Sequence, residues 1–161
     1  MNEPSSRVIS PVLGEIRWDT DCELHFPAGL PGFERHKRMV PVEIPSQRPL
    51  VYLQSAERGE VCFLALPVLT VHSGFRLRLS EEDRSLLELD QSEATRDDTP
   101  AIGADVLCLA LLVPVGGTFQ TNLDAPIVIN LHNGRGIQIV TPAAAAGSWR
   151  LSRSGAWEAV C

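Results

Sequence analysis

Apolar residues along this chain form short runs separated by proline and glycine. There are 12 Pro and 12 Gly, and both residue types favour turns over continuous secondary structure. This spacing is typical of many short strands joined by turns. The predicted strands cover residues 13–17, 21–26, 37–43, 50–55, 61–65, 75–79, 106–113, 118–122, 126–130 and 136–140.

Two of these segments have informative patterns. In residues 74–79 the apolar positions alternate with Arg76 and Arg78, which predicts a strand with one buried face. Residues 126–129 are instead continuously apolar and rich in β-branched side chains. A strand of that kind is expected to be buried on both faces.

Turns and one helix complete the pattern. The pair Asn133-Gly134 lies between two apolar runs and predicts a β-hairpin, and Gly116-Gly117 predicts a second turn between strands. Residues 80–89 form the one segment with helical character, because Ser80 can cap a first turn rich in acidic residues. Residues 90–100 are polar and are expected to form a loop, whereas the Ala- and Trp-containing tail from residue 143 onward predicts no definite element.

Composition is that of an ordinary folded protein. The 161 residues are 44% hydrophobic and 21% charged, which fits one domain spanning residues 1–161 with its own core. The apolar run 106–115 contains Pro114 and is shorter than the ~20 residues of a membrane-spanning helix. The first ten residues lack the pattern of a secretion signal, so a cytoplasmic location is expected. The predicted fold class is all-β, with one short helix near residues 80–89.

Net charge limits the kinds of partner that the protein can bind, and cysteine spacing limits the metal sites that it can form. The net charge of −6 repels phosphate backbones and favours a basic protein partner over direct contact with nucleic acid. The cysteines, residues 22, 62, 108 and 161, have neither CxxC nor zinc-ligand spacing. They are expected to be ordinary thiols, with no metal and no cofactor.

Catalytic chemistry is not evident. No nucleophile stands at a recognisable spacing from a base, and the histidines, residues 25, 36, 72 and 132, are scattered singly. The acidic residues 81–83 are explained by the electrostatics of a helix N-terminus. The chain is therefore not expected to be an enzyme.

Three blocks carry a resemblance to a known family. The segment Phe26-Pro27-Ala28-Gly29-Leu30-Pro31-Gly32-Phe33-Glu34 resembles the F-x-x-G-L-P-G-F-E signature of the FliW family. Residues 53–67 and 121–130, the latter containing Asn-Leu-Asp-Ala-Pro-Ile-Val-Ile-Asn, are similar to further blocks of that family. The blocks follow the family's order from residue 26 to about residue 140, whereas the tail beyond residue 141 departs from the family's pattern.

The resemblance implies a monomeric, barrel-like antiparallel β-fold without catalytic activity. It also implies two protein partners, flagellin and the small basic translational regulator CsrA, whose repression of flagellin synthesis is relieved by binding. Flagellin's partner segment in this family is a terminal helix, so an apolar groove or an open sheet edge should receive it. No membrane contact is expected.

Candidate contact residues fall in two turns. The Pro-Gly turn near residue 31 presents rigid apolar side chains, which lose little entropy on binding; the same turn could instead bury Phe26 and Phe33 in the barrel core. The end of strand 126–130 and the turn that follows are expected to be exposed. The partner-binding candidates are Leu30, Pro31, Gly32, Phe33, Glu34, Asn130, Asn133 and Arg135.

The sequence is also compatible with two other classes of function. The first is a barrel that binds a small ligand or a carbohydrate, and the second is a hydrolase whose site is assembled from distant residues. Retention of flagellin or of a small basic protein from a lysate would favour the protein-binding class, whereas retention on immobilised glycans alone would favour the first alternative.

Overall fold

A computed structural model describes residues 6–89 and 100–139, together with the backbone of residues 148–151 and 157–160. In these ranges the strands are β1 Ser6–Ser10, β2 Gly14–Trp18, β3 Leu24–His25, β4 Arg38–Val42, β5 Val51–Ser55, β6 Cys62–Pro67, β7 Val106–Val115, β8 Thr118–Asn130, β9 Gly136–Gln138, β10 Ser148–Leu151 and β11 Trp157–Val160. The helices are α1 Val68–Val71 and α2 Glu81–Leu86, and short 3-10 turns occupy Thr20–Cys22 and Pro45–Gln47. The loop predicted for residues 90–100 lies almost wholly outside the described residues.

One antiparallel sheet forms a nearly closed barrel. Its order is β11-β10-β8-β7-β6-β5-β4-β3, with β9 also paired to β8, while β1 and β2 form a separate hairpin. The sheet curls until β3 meets the loop after β8: His25 forms a parallel bridge with Arg135, and its amide donates to Gly134 O at 2.9 Å. The predicted all-β, barrel-like fold is confirmed.

Apolar side chains pack in two layers. Strands β4 to β8 and the segment after β3 fill the inside of the barrel with Phe26, Leu30, Met39, Val51, Leu53, Ala65, Leu109, Ile127 and Ile129. The opposite face of β6 to β9 is covered by α1, by residues 75–79 and by the end of α2, around Leu66, Val68, Leu77, Leu87, Cys108 and Val128. Since β8 is covered on both sides, the continuously apolar run 126–129 is fully buried, as predicted.

Local predictions had mixed outcomes. Helix α2 is confirmed, with a capping box in which Ser80 Oγ accepts from Asp83 N and the Asp83 carboxylate accepts from Ser80 N. The turns at Gly116-Gly117 and after β8 are also found where predicted. The prediction of a strand at residues 75–79 is wrong. Leu77 is buried, Phe75 and Leu79 are half-buried and the two arginines between them are exposed, but this segment covers the sheet and pairs with no strand of the described chain.

Strand boundaries differ in three other places. The predicted strands 118–122 and 126–130 are one strand, β8, whose pairing with β7 is irregular between Leu109 and Leu111. The predicted strand 21–26 shrinks to β3 because a 3-10 turn precedes it. Strands β1, β10 and β11 were not predicted. No helix in the described residues is long and apolar enough to cross a membrane.

Candidate partner-binding surface

The Pro-Gly segment forms the turn that its sequence predicts. Phe33 N donates to Leu30 O at 2.7 Å, and Gly32 has φ of 83°, the positive value that a type II turn requires at its third position. The Glu34 carboxylate accepts from Gly32 N at 2.8 Å. That hydrogen bond, together with the backbone N–H of Glu34 itself and the charge of Lys37, holds the pKa of Glu34 below its ordinary value.

Close approach explains the glycine at position 29 of the signature segment and the glycine at position 136, which lies against the first residue of that segment. A Cβ on Gly29 would lie 2.5 Å from Cα of Glu34, so the chain can fold back on itself only with glycine there. A Cβ on Gly136 would lie 2.6 Å from the ring of Phe26, which is fully buried in the barrel. The segment is therefore held on both sides of Phe33, at Phe26 and at Glu34.

Burial separates the apolar candidates of this turn. Leu30 is only 2% exposed and belongs to the core inside the barrel, so its side chain is not available to a partner. Phe33 is 38% exposed and packs edge-on against Phe63, with ring centroids 5.0 Å apart. The expectation of core burial is met by Phe26 and not by Phe33, which stays at the surface, and Leu30 also belongs to the core.

Phe33 stands at one end of the barrel, where two strands part. The ladder between β6 and β7 ends at the pair Ala65 and Leu111. Phe63 precedes Ala65 by two residues on β6 and Val113 follows Leu111 by two residues on β7, so side-chain alternation places both on the barrel-facing side. Val113 is 45% exposed. We call Phe33, Phe63, Leu111 and Val113 the mouth patch.

Strand edges without a pairing partner in the described chain lie next to the mouth patch. Beyond the last paired residues, β6 at positions 62–64 pairs with β5 and β7 at positions 112–115 pairs with β8, and among the described strands these two stretches do not pair with each other. Val115, also 45% exposed, continues the barrel-facing row of β7. An apolar surface next to unpaired strand edges is an ordinary setting for binding a protein segment.

His36 and Ser55 lie beside the patch in an arrangement that superficially resembles a catalytic pair. Ser55 Oγ accepts from the backbone amides of Glu57 at 3.2 Å and Arg58 at 3.1 Å, so its own proton is directed at His36 Nδ1, 3.2 Å away. Ser55 is fully buried. No substrate can reach that hydroxyl, and the contact instead ties the end of the turn to β5.

The second group of candidates supports a helix. Asn130 was expected to be exposed, and that expectation is wrong, since it is 3% exposed. Its Nδ2 donates to Leu87 O at 2.9 Å, and Asn133 Nδ2 donates to the same oxygen at 3.1 Å. Arg135 Nε donates to Leu86 O at 2.9 Å. These side chains bind the C-terminal end of α2, and of the three residues only Asn133 is exposed.

Sequence reasoning missed three residues of the mouth patch, Phe63, Leu111 and Val113, and also the nearby Val115. Phe63 and Val113 were assigned to ordinary strands, and Val115 lies just beyond the predicted strand 106–113. Their apolar character was visible, but the parting of β6 from β7 depends on pairing across the sheet. Only the alternation along each strand could have indicated which faces they share.

Metal and thiol chemistry add nothing to this surface. Within the part of the chain that the structure describes, no group of three or more His, Cys, Asp or Glu side chains could hold a metal ion. Burial raises the pKa of the Cys108 thiol to about 12 and raises that of Cys62 as well. Neither thiol is disposed to react near neutral pH.

The amino-acid sequence is similar to those of proteins of a known family. The family model described as FliW protein matches residues 7–149. The flagellar assembly factor FliW of Azoarcus sp. (strain BH72) is 32% identical over 143 residues, covering 83% of this chain and 90% of the relative. The one from Syntrophomonas wolfei is 27% identical over 135 residues, covering 83% and 80%.

A solved structure shows the same fold. The crystal structure of the flagellar assembly factor FliW superposes with a TM-score of 0.72, at 22% identity, and covers 86% of this chain and 90% of that one. The family match covers most of the chain, including the signature turn and the mouth patch. This chain belongs to the FliW family of flagellar assembly factors.

Proposed function

We propose that this protein binds flagellin and CsrA in the cytoplasm, and that binding CsrA relieves its repression of flagellin translation. The work is done by linked binding equilibria without catalysis. The observation that carries the proposal is Phe33, an aromatic side chain held partly exposed on a rigid turn at the open end of the barrel. The choice of flagellin and CsrA as partners follows what the resemblance to the FliW family implies.

The mouth patch suits an amphipathic helix of flagellin. Helices dock through a row of apolar side chains at intervals of three and four residues, and they need an apolar groove rather than a flat charged surface. Phe33 on the turn and Val113 on β7 offer exposed apolar area, and Phe63 and Leu111 are half-buried against the barrel core. Because the turn is already fixed by its hydrogen bonds, little conformational entropy is lost on binding.

Electrostatics suit a basic partner such as CsrA. Residues 81–98 contain eight carboxylates and two arginines, so this stretch by itself has a net charge of −6, equal to that of the whole chain. The rest of the protein has equal numbers of acidic and basic residues. An approaching basic protein is therefore attracted mainly towards α2 and the residues after it, which raises the rate of encounter.

The two partners are expected to weaken each other's binding. A protein that reports the level of flagellin to CsrA must lose affinity for one when it holds the other. The factor by which flagellin weakens CsrA binding must equal the factor by which CsrA weakens flagellin binding. Titration of each partner at fixed concentrations of the other measures both factors, and a ternary complex with unchanged affinities would contradict this part of the proposal.

Co-purification tests the identity of the partners. The native, untagged protein should carry flagellin or CsrA through gentle purification, and association with CsrA should slow as salt rises, since the Debye length falls from ~10 Å at 0.1 M to ~3 Å at 1 M. Retention on immobilised glycans, with neither protein bound, would favour the carbohydrate-binding alternative. An on-rate independent of salt would remove the electrostatic part of the argument.

A further inference from the structure

The loop between β8 and β9 supplies the hydrogen bonds that the end of α2 lacks. A helix leaves its last carbonyl groups without partners inside the helix. Here Leu87 O accepts from Asn130 and Asn133, and Leu86 O accepts from Arg135 Nε. The position of the helix end is thus set by a loop more than forty residues further along the chain.

Glu88, just after this helix, has an unusual backbone. Its φ is 52°, and its amide and that of Leu89 donate to Ser85 O and Arg84 O, the hydrogen-bond pattern of a Schellman motif. Glycine is the usual residue there because a Cβ disfavours left-handed backbone. The glutamate makes a contact that glycine cannot: its carboxylate lies 3.4 Å from Arg135 Nη1.

Arg135 also lies where the barrel closes. It forms the bridge with His25, whose amide donates to Gly134 O. The next residue, Gly136, packs against the ring of Phe26. Phe26 opens the segment that leads through the Gly29 turn to Phe33. Arg135 therefore contacts the end of α2 through its side chain and takes part in the closure of the barrel through its backbone.

We propose that Arg135 is a latch that couples the end of α2 to the mouth patch. The Glu88 side chain is 62% exposed, whereas that of Arg135 is 25% exposed, so a cationic side chain of a basic partner can reach Glu88 and replace Arg135 there. Arg135 then loses its ion pair with Glu88 and keeps only its hydrogen bond to Leu86 O. The closure at His25 loosens, and the segment that carries Phe33 becomes less ordered.

This inference rests on the proposed function for the identity of the partners, CsrA as the basic one and flagellin as the ligand of the mouth patch. It explains how the two partners weaken each other's binding. Flagellin is favoured by an ordered Phe33 turn, whereas CsrA displaces Arg135 from Glu88 and makes that turn less ordered. The latch itself is a property of the free protein, and it is tested without either partner.

Amide hydrogen exchange of the free protein is the test. We compare the wild type with Arg135→Ala, which removes both the hydrogen bond and the ion pair, and with Glu88→Gln, which removes only the ion pair. Arg17→Ala is the matched control, since Arg17 pairs with Glu15 in the separate β1–β2 hairpin. The expected result is exchange faster by about tenfold at His25 and Gly29 in Arg135→Ala, a smaller increase in Glu88→Gln, and no change there in Arg17→Ala.

Two outcomes overturn the latch. One is faster exchange confined to residues 84–89 and 130–135, and the other is equal acceleration throughout the barrel in Glu88→Gln, which would indicate general destabilisation. In a second step a peptide of flagellin's terminal helix is titrated into each protein, and Arg135→Ala is expected to bind it at least about fivefold more weakly. If the peptide binds none of the proteins, the flagellin proposal fails while the exchange result still decides the latch.

Discussion

Phe33 lies edge-on against Phe63, with the ring centroids 5.0 Å apart and an interplanar angle of 87°. This is a favoured geometry for an aromatic pair, because the positive edge of one ring meets the negative face of the other. The contact fixes an exposed side chain of the turn to β6. It therefore explains how a surface loop can present a single, ordered apolar anchor.

Replacing Gly32 tests the backbone of the turn. A Cβ at this position meets nothing within 4 Å, so Gly32→Val is destabilising through its positive φ alone. We expect the free energy of unfolding to fall by about 1–2 kcal/mol. Gly32→Asn is the control and should cost less, because Asn tolerates left-handed backbone. Denaturant unfolding measures both, and an unchanged midpoint for the valine variant would show that the turn differs from the one described.

Asn130 tests the support of α2. Asn130→Ala removes the buried donor to Leu87 O and the acceptor for the His132 amide, so we expect a loss of about 1–3 kcal/mol in unfolding free energy. The matched control is Asn122→Ala, because the Asn122 side chain accepts from Asp124 N on the same strand and lies less buried. Equal losses in the two variants would argue against a special role for Asn130.

Glu34 gives the turn a dependence on pH. Its pKa is lowered, first by the hydrogen bond from Gly32 N, so the folded protein favours the carboxylate. The resulting stabilisation is present above the ordinary value of 4.5 and is lost as the pH falls through the lower folded value. Glu34→Gln should therefore be less stable than the wild type at pH 7, and the gap should close towards pH 3. A gap that widens in acid would contradict the assignment.

Thiol labelling tests burial of the second apolar layer. With Cys161→Ser as the background, iodoacetamide at pH 8 should modify exposed Cys22 quickly and Cys62 more slowly. Cys108 should remain unmodified until the protein unfolds, since burial raises its pKa to about 12. Peptide mapping by mass spectrometry distinguishes the sites. Reaction of native Cys108 at the rate of Cys22 would show that the cover over β7 opens readily.

Local patterns predicted most strands and missed what depends on pairing. The alternation of residues 75–79 correctly indicated one buried face, with Leu77 inside. It could not distinguish a strand from an unpaired segment that covers a sheet, because both bury alternate side chains. The N-terminal cap of α2 was easier to predict, since Ser80 directly precedes a first turn of acidic residues.

The sequence predicted those features of the candidate site that depend on neighbouring residues in the chain. The type II turn follows from Pro31 and Gly32 alone, and it is present. The burial of Asn130 depends on a carbonyl 43 residues away, at Leu87. The exposure of Val113 depends on where β7 leaves β6. Neither relationship has a counterpart in the neighbouring sequence.

The most direct test of the proposed surface is titration of a flagellin terminal-helix peptide into Phe33→Ala and Val113→Ser. The control is Ile9→Ser, which removes a 74% exposed apolar side chain from the β1–β2 hairpin, and thermal melting confirms that each variant is folded. The account predicts that Kd rises at least about tenfold for both patch variants and changes by less than about twofold for the control. Wild-type affinity in both patch variants, or an equal loss in Ile9→Ser, would contradict it.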